Sequence, residues 1–305
     1  MIVPSTLLYA WSVLLGAVVG SFLNVVIARL PRGESVVRPR SRCPSCLVPI
    51  SWYDNVPVVS FFLLRARCRR CGARISWRYP LVELAGAAAG LLAVARHGFS
   101  PLAAAELAFV ATLVALSVID KDTWLLPHAL TWPLMVAGQA AAALGLSATA
   151  PRSSALGLLF GVLTFAVVAQ VGQRVFGKEA LGYGDVWLLG GIGAWLGASA
   201  LLPVVLLASL QGAVVGGVLL LLGRGEPGPG LGPKAEEASP PGAALGAPGD
   251  HRTAVPTAEG PPQEADWIPP RHAVPFGPFL AAAALEWLYL SQVLARAIPP
   301  LRSFT

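Results

Sequence analysis

The chain has 305 residues, 55% of them hydrophobic and only 12% charged, with a mean hydropathy of +0.65 and a formal net charge of +6. Soluble globular domains carry about 25% charged residues, so this composition excludes a soluble enzyme. The apolar residues also fall in runs of about 20, long enough to cross a hydrocarbon core of roughly 30 Å. The fold class expected is an all-α polytopic membrane protein of about eight transmembrane helices, with a small cytoplasmic zinc-binding insert after the first.

The first helix is expected over residues 5–27. Its segment Thr6–Ile27 lacks a basic start and a clear small-residue cleavage site, and so reads as a retained span rather than a removed signal peptide. Asn24 within it is expected to face protein. Residues 29–80 then hold eleven arginines against Glu34 and Asp54 alone. A basic patch can signal nucleic acid, but no nucleic-acid-binding motif accompanies it. Between apolar spans it fits the positive-inside rule, under which cytoplasmic loops are rich in arginine and lysine. The partner expected is therefore the lipid bilayer, not nucleic acid.

Within this segment stand Cys43-x-x-Cys46 and Cys68-x-x-Cys71, with 21 residues between the pairs. Each pair offers two thiolates on a tight turn, and Zn²⁺ takes four in tetrahedral geometry. Two disulfides are the rival arrangement, which a reducing cytoplasm disfavours. Four cysteines fill the coordination shell, so the zinc would be structural. A segment this short buries little core, and a metal tie would hold it together beside the membrane. Trp52, Tyr53 and Trp77 suit the headgroup zone.

Further helices are expected near residues 81–96, 102–119, 127–147, 154–173, 186–199, 201–222 and 274–295, with Pro203 marking the break between the sixth and seventh. Residues 223–272 differ: proline and glycine make up 20 of the 50, and disorder is expected there. The organisation is thus a first transmembrane helix (1–28), a cytoplasmic zinc-binding domain (29–80), a transmembrane core (81–222), a cytoplasmic linker (223–272) and a last transmembrane helix (273–305). No internal repeat is expected.

Two aspartates end apolar stretches. Asp120 closes the run Leu102–Ile119, and Asp185 ends the turn Gly182-Tyr183-Gly184-Asp185. A carboxylate at a membrane boundary is costly and marks a functional candidate. With the arginine-rich segment in the cytoplasm, span counting puts Asp120 and Asp185 on that same face. A pair that met there could perform acid–base chemistry around a shared proton. A lone aspartate at a helix boundary is more often a cap or a solvated end, and Asp122 is read as capping the helix that begins near Pro127 or facing water. No G-x-S-x-G elbow or H-E-x-x-H pair occurs. His128 is the only histidine near the proposed site and reads as a headgroup-level residue. A transporter whose aspartates relay protons is the main rival, and a non-enzymatic scaffold using the zinc module is a second.

Several stretches taken together resemble the type IV prepilin peptidases, membrane aspartic proteases of the G-x-G-D group. They are Gly20-Ser-Phe-Leu-Asn-Val-Val-Ile27 with Arg29-Leu-Pro31, the two C-x-x-C pairs around Trp52-Tyr-Asp-Asn-Val-Pro57, and Arg78-Tyr-Pro-Leu-Val-Glu83. Asp120 with Leu126-Pro127, Gly182-Tyr-Gly-Asp185 and Pro275-Phe-Gly-Pro-Phe-Leu280 complete the order. The resemblance implies that Asp120 and Asp185 are the catalytic pair. It implies prepilin or pseudopilin substrates, cut on the cytoplasmic side of the bacterial inner membrane between a basic leader and an apolar helix. It further implies methylation of the new N-terminus with S-adenosylmethionine.

Three positions depart from the family pattern. His128 stands where Asp or Asn is frequent, Trp187 where Lys is frequent, and Ala66 where Gly is common. The first two bear on the electrostatics of the pair, the third on methylation. Like charges repel, so the arginines are expected to hold their domain on anionic lipid. Glu83, Glu179 and Asp54 are then the candidates to meet a basic leader.

Overall fold

The computed structural model describes residues 5–176, 182–222, 274–297 and 304. It is all-α, with no β-strand among the described residues. Two compact units are distinguished, Met1–Gly212 with Pro275–Thr305, and Ala213–Val274. The expected linker 223–272 and Glu179 lie outside the described residues.

Eight long helices follow the expected order. They are α1 (Ser5–Arg29), α3 (Arg78–His97), α4 (Pro101–Thr123), α5 (His128–Ala143), α6 (Pro151–Phe176), α7 (Tyr183–Leu196), α8 (Ala198–Leu221) and α9 (Gly277–Ala297), with a short α2 (Val59–Leu63) inside the cysteine-bearing segment. Five of the described helices are long and apolar enough to cross a membrane: Thr6–Arg32, Arg78–His97, Pro101–Thr123, Pro151–Val175 and Ala198–Leu221. At 14 residues, α7 rises only about 21 Å and is buried almost throughout from Asp185 to Trp195.

Pro203 does not divide α7 from α8. The chain turns at Gly197, whose φ of +85° suits a residue without a Cβ, and Pro203 lies inside α8. A proline lacks the N–H donor that a helix interior uses, yet α8 accommodates it in its second turn. The glycine decides, since α7 ends with the Gly197 N–H bonded to the Gly193 carbonyl at 2.8 Å.

Small residues set the helix spacing. Gly16 and Gly20 of α1 face Gly86 and the Val82–Glu83 backbone of α3 so closely that a Cβ on either would strike main-chain atoms. Gly157 and Gly161 of α6 meet α7 at Gly193 and Leu189 in the same way. Lipid supplies no hydrophobic drive between helices, so close backbone approach and dispersion carry such contacts. Leu113 and Leu116 of α4, Leu188, Leu189 and Ile192 of α7, and Leu280 of α9 are fully buried in the resulting core. Asn24 faces protein as expected, its Nδ2 donating to the Tyr79 carbonyl at 3.1 Å.

One charged cluster was not anticipated. Glu106 lies inside the run read as apolar, yet it is buried, and its Oε2 accepts from Arg96 Nη1 at 3.0 Å and His97 Nε2 at 2.8 Å. The Arg96 guanidinium also covers the Tyr289 ring at 5.2 Å. A buried carboxylate needs such partners. These ties join α3, α4 and α9 at the end of α4 away from Asp120.

Candidate active site and metal centre

Asp120 sits in the last turn of α4, and Asp185 in the first turn of α7. Both are buried, and they lie close enough for their charges to interact. The fold therefore brings together the two residues singled out from sequence. Gly182 is the N-cap of α7, and the Asp185 N–H donates to its carbonyl at 3.1 Å. Gly184 passes so near the chain before α5 that a Cβ there would stand 2.7 Å from Leu126 Cβ. The G-x-G turn thus lets Leu126-Pro127 lie against the start of α7 and seats Asp185 beside α4.

The two carboxylates have unlike surroundings. Asp120 Oδ2 accepts the backbone N–H of Gly277, the first residue of α9, at 3.0 Å. Asp185 Oδ1 is buried and has no hydrogen-bond partner among the described residues. An unsatisfied buried carboxylate oxygen is costly and is what a proton shared with a neighbour, a water or a substrate N–H would satisfy. Asp122 does not cap α5 but faces water, the other arrangement expected for it; there it pairs with Arg78 at 2.5 Å and ties the start of α3 to the end of α4. His128 and Trp187 contact one another on α5 and α7.

Of the acidic residues considered for a basic leader, two are already engaged. Asp54 takes three hydrogen bonds from the Arg69 guanidinium, at 2.6, 2.9 and 3.0 Å, and this arginine holds its carboxyl below the usual range. Glu83 Oε2 accepts the Val58 N–H at 2.6 Å. Val58 itself has φ +62° and ψ −50°, with the Val59 N–H reaching the Pro57 carbonyl at 2.6 Å. That is a γ-turn, strained for a β-branched residue, and Glu83 secures it to α3.

The four cysteines converge. Their sulfurs all lie within 4.8 Å of one another, Cys43 Sγ and Cys71 Sγ are 3.8 Å apart, and none forms a disulfide. A tetrahedral Zn²⁺ with bonds of about 2.3 Å sets its sulfurs about 3.8 Å apart, so the quartet fits such an ion. The Cys46 N–H aimed at its sulfur brings the Cys43 thiol down to about 6 against the opposing effect of burial. At Cys71 the Ala73 N–H lowers the value, but burial and the neighbouring thiols outweigh it and push it up to about 11.

The expectation of no internal repeat is incorrect. Arg42-Cys-Pro-Ser-Cys-Leu-Val-Pro-Ile-Ser-Trp52 and Arg67-Cys-Arg-Arg-Cys-Gly-Ala-Arg-Ile-Ser-Trp77 share R-C-x-x-C-x-x-x-I-S-W. Both fold alike: bridges join Arg42 to Pro49 and Arg67 to Arg74, and the Ile50 and Ile75 N–H groups bond back to Ser41 and Ala66. At the residue after the second cysteine, both copies turn left-handed, Leu47 at φ +58° and Gly72 at +71°. The repeat is short and its variable positions carry different charges, which hides it among arginines. Ala66, where glycine is common in the resembled family, also has a positive φ, +56°. A glycine there avoids a Cβ penalty.

Comparison with known proteins agrees with this layout. Residues 14–97 match the Bacterial Peptidase A24 N-terminal domain, and residues 107–217 match the Type IV leader peptidase family. A prepilin leader peptidase/N-methyltransferase of Myxococcus xanthus is 43% identical over 93% of this chain and 91% of its own length. Proteins of that name from Klebsiella pneumoniae and Pseudomonas aeruginosa are 45% and 38% identical, over 64% and 71% of this chain and 87% and 82% of their own lengths. No solved structure matches. The apolar helices and these bacterial relatives identify a bacterial membrane protein. With the helix order, the cysteine quartet and the juxtaposed aspartates in place, the chain belongs to the type IV leader peptidase family.

Proposed function

We propose that this protein is a membrane aspartic endopeptidase that removes the basic leader from type IV prepilins or type II secretion pseudopilins, with Asp120 and Asp185 as its catalytic pair. The observation that carries the reading is that two carboxylates from separate helices are both buried and lie within range of one another's charge. One carboxylate takes a proton from water as its oxygen attacks the scissile peptide carbon. The other, protonated, first donates a hydrogen bond to the carbonyl oxygen. It then protonates the leaving nitrogen as the carbon–nitrogen bond breaks. The relatives' names support prepilin as the substrate and N-methylation as a second step using S-adenosylmethionine.

Arginine distribution supports an inner-membrane protein whose aspartate pair faces the cytoplasm. Cys43, Cys46, Cys68 and Cys71 would hold a structural Zn²⁺, stiffening a segment fastened to the core through Glu83–Val58 and Arg78–Asp122. With four thiolates bound, the ion would have no open position for chemistry.

The test is co-expression with a prepilin, comparing wild type with Asp120→Asn and Asp185→Asn for leader removal on a gel. Each substitution is expected to abolish cleavage, and cleavage surviving both would falsify the assignment. Mass spectrometry of the processed N-terminus reports the cut site and any added methyl group together.

A further inference from the structure

We propose that Gly277 is a positioning residue for Asp120: its N–H pins one carboxylate oxygen, and any side chain at this position displaces the carboxylate from its partner. The proposal rests on reading Asp120 and Asp185 as the catalytic pair. It concerns a helix beyond the residues 14–97 and 107–217 matched to known domains.

Two features of the contact point the same way. The Gly277 N–H donates to Asp120 Oδ2 at 3.0 Å in a buried setting, between residues 157 positions apart. A Cβ at Gly277 would stand 2.6 Å from that same oxygen and 3.1 Å from Asp120 Cγ. Real Cβ atoms do not approach so closely, so something has to give way.

The helix is not the part that yields. Phe276 caps α9, its carbonyl accepting the Phe279 and Leu280 N–H groups at 3.0 and 3.1 Å. The Phe276 ring lies 6.1 Å from that of Phe165 on α6. Leu280, Ala281, Ala283 and Ala284 are buried in the next turns, and Arg96 covers Tyr289 farther along. With α9 held along its length, an added methyl at residue 277 moves the carboxylate instead.

The pinned oxygen also explains a division of labour. With Oδ2 committed to Gly277, Oδ1 of Asp120 is the oxygen left for water and for Asp185. Asp185 in turn offers a buried Oδ1 that has no partner among the described residues.

The experiment is steady-state cleavage of a purified prepilin by the full-length protein in lipid nanodiscs, with melting temperature measured alongside. Gly277→Ala is expected to lower kcat by at least about tenfold, as sub-ångström misplacement of a reacting group does. It should leave KM within about twofold and displace the pH profile of kcat. Leu290→Ala, on the exposed face of the same helix, should match wild type. A folded Gly277→Ala enzyme with wild-type kcat and pH profile overturns the proposal. If Gly277→Ala fails to fold, Phe276→Ala decides, because it loosens the start of α9 without adding an atom near Asp120. Reduced kcat at unchanged KM then supports the proposal, and wild-type kcat overturns it. Asp120→Asn separates the two levels: an inactive Asp120→Asn beside a normal Gly277→Ala sinks only this inference, while an active Asp120→Asn sinks the peptidase reading as well.

Discussion

The imidazole of His128 meets the indole of Trp187 edge-on, with ring centroids 6.4 Å apart and planes at 78°. His128 opens α5, and Trp187 stands two residues beyond Asp185 on α7. A second indole, Trp132, lies 5.5 Å from the same imidazole. The two positions at which the chain departs from the family pattern near the pair are therefore neighbours. At these two positions the chain has a ring contact, an arrangement of about 0.5–1.5 kcal/mol.

Neighbouring replacements of this kind are expected to be coupled. His128→Asp alone should lower kcat/KM, because it adds a third carboxylate near the pair. Trp187→Lys alone loses the ring contact. The double substitution should recover activity by about 1 kcal/mol relative to the sum of the singles. Strict additivity in a double-mutant cycle on cleavage would show that the two rings act independently.

Ala66→Gly should stabilise the cysteine-bearing segment. Ala66 has φ +56°, and a Cβ in left-handed backbone costs about 1–2 kcal/mol. Glycine is also freer in the unfolded chain, which leaves a net gain of about 1 kcal/mol. Thermal denaturation or hydrogen exchange over residues 60–76 would register it, and no gain would mean the turn relaxes around alanine.

The Asp54–Arg69 pair gives a pH dependence of defined sign. Arg69 holds the folded Asp54 below its ordinary value of 3.8. The folded state therefore binds fewer protons than the unfolded one in that range. Stability from the pair is present above pH 3.8 and is lost as pH falls through the lower, folded value. Asp54→Asn should be less stable than wild type at pH 7, with the difference shrinking below about pH 4. A constant difference across the titration would assign the loss to packing instead.

Metal retention and cleavage should separate cleanly. Cys43→Ser is expected to lose zinc, measured by elemental analysis of the purified protein, because thiolate ligands act as a set. Asp120→Asn should keep zinc at wild-type stoichiometry while losing cleavage. Loss of zinc in Asp120→Asn would mean that the cysteine segment and the aspartates fold as one unit.

Much of this layout is legible in residue order. Apolar run lengths located all eight long helices to within a few residues, since burial and bilayer thickness constrain length strongly. The cysteine spacing located the knuckles, and polar residues at the ends of apolar runs located Asp120 and Asp185. What escaped depends on contacts and turns that residue order alone does not display. The stretch Pro275–Leu280 stands out as part of the family resemblance, but its letters do not say that the N–H of Gly277 serves Asp120. Glu106 was absorbed into an apolar run because its partners Arg96 and His97 lie across a helix turn. The Pro203 expectation failed because sequence patterns report where a helix is weakened, whereas the reversal took place at a left-handed glycine nearby. The R-C-x-x-C-x-x-x-I-S-W duplication was present in the letters, and matching backbone bridges made it visible.

The shortness of α7 has a consequence for depth. A helix rising about 21 Å cannot reach both faces of a hydrocarbon slab roughly 30 Å thick. If its Gly197 end is level with the loops that surround it, Asp185 lies several ångströms beneath the opposite surface. A peptide bond next to a lipid-embedded segment could then meet the carboxylates without that segment being drawn fully into water. Moisture need penetrate only a shallow recess.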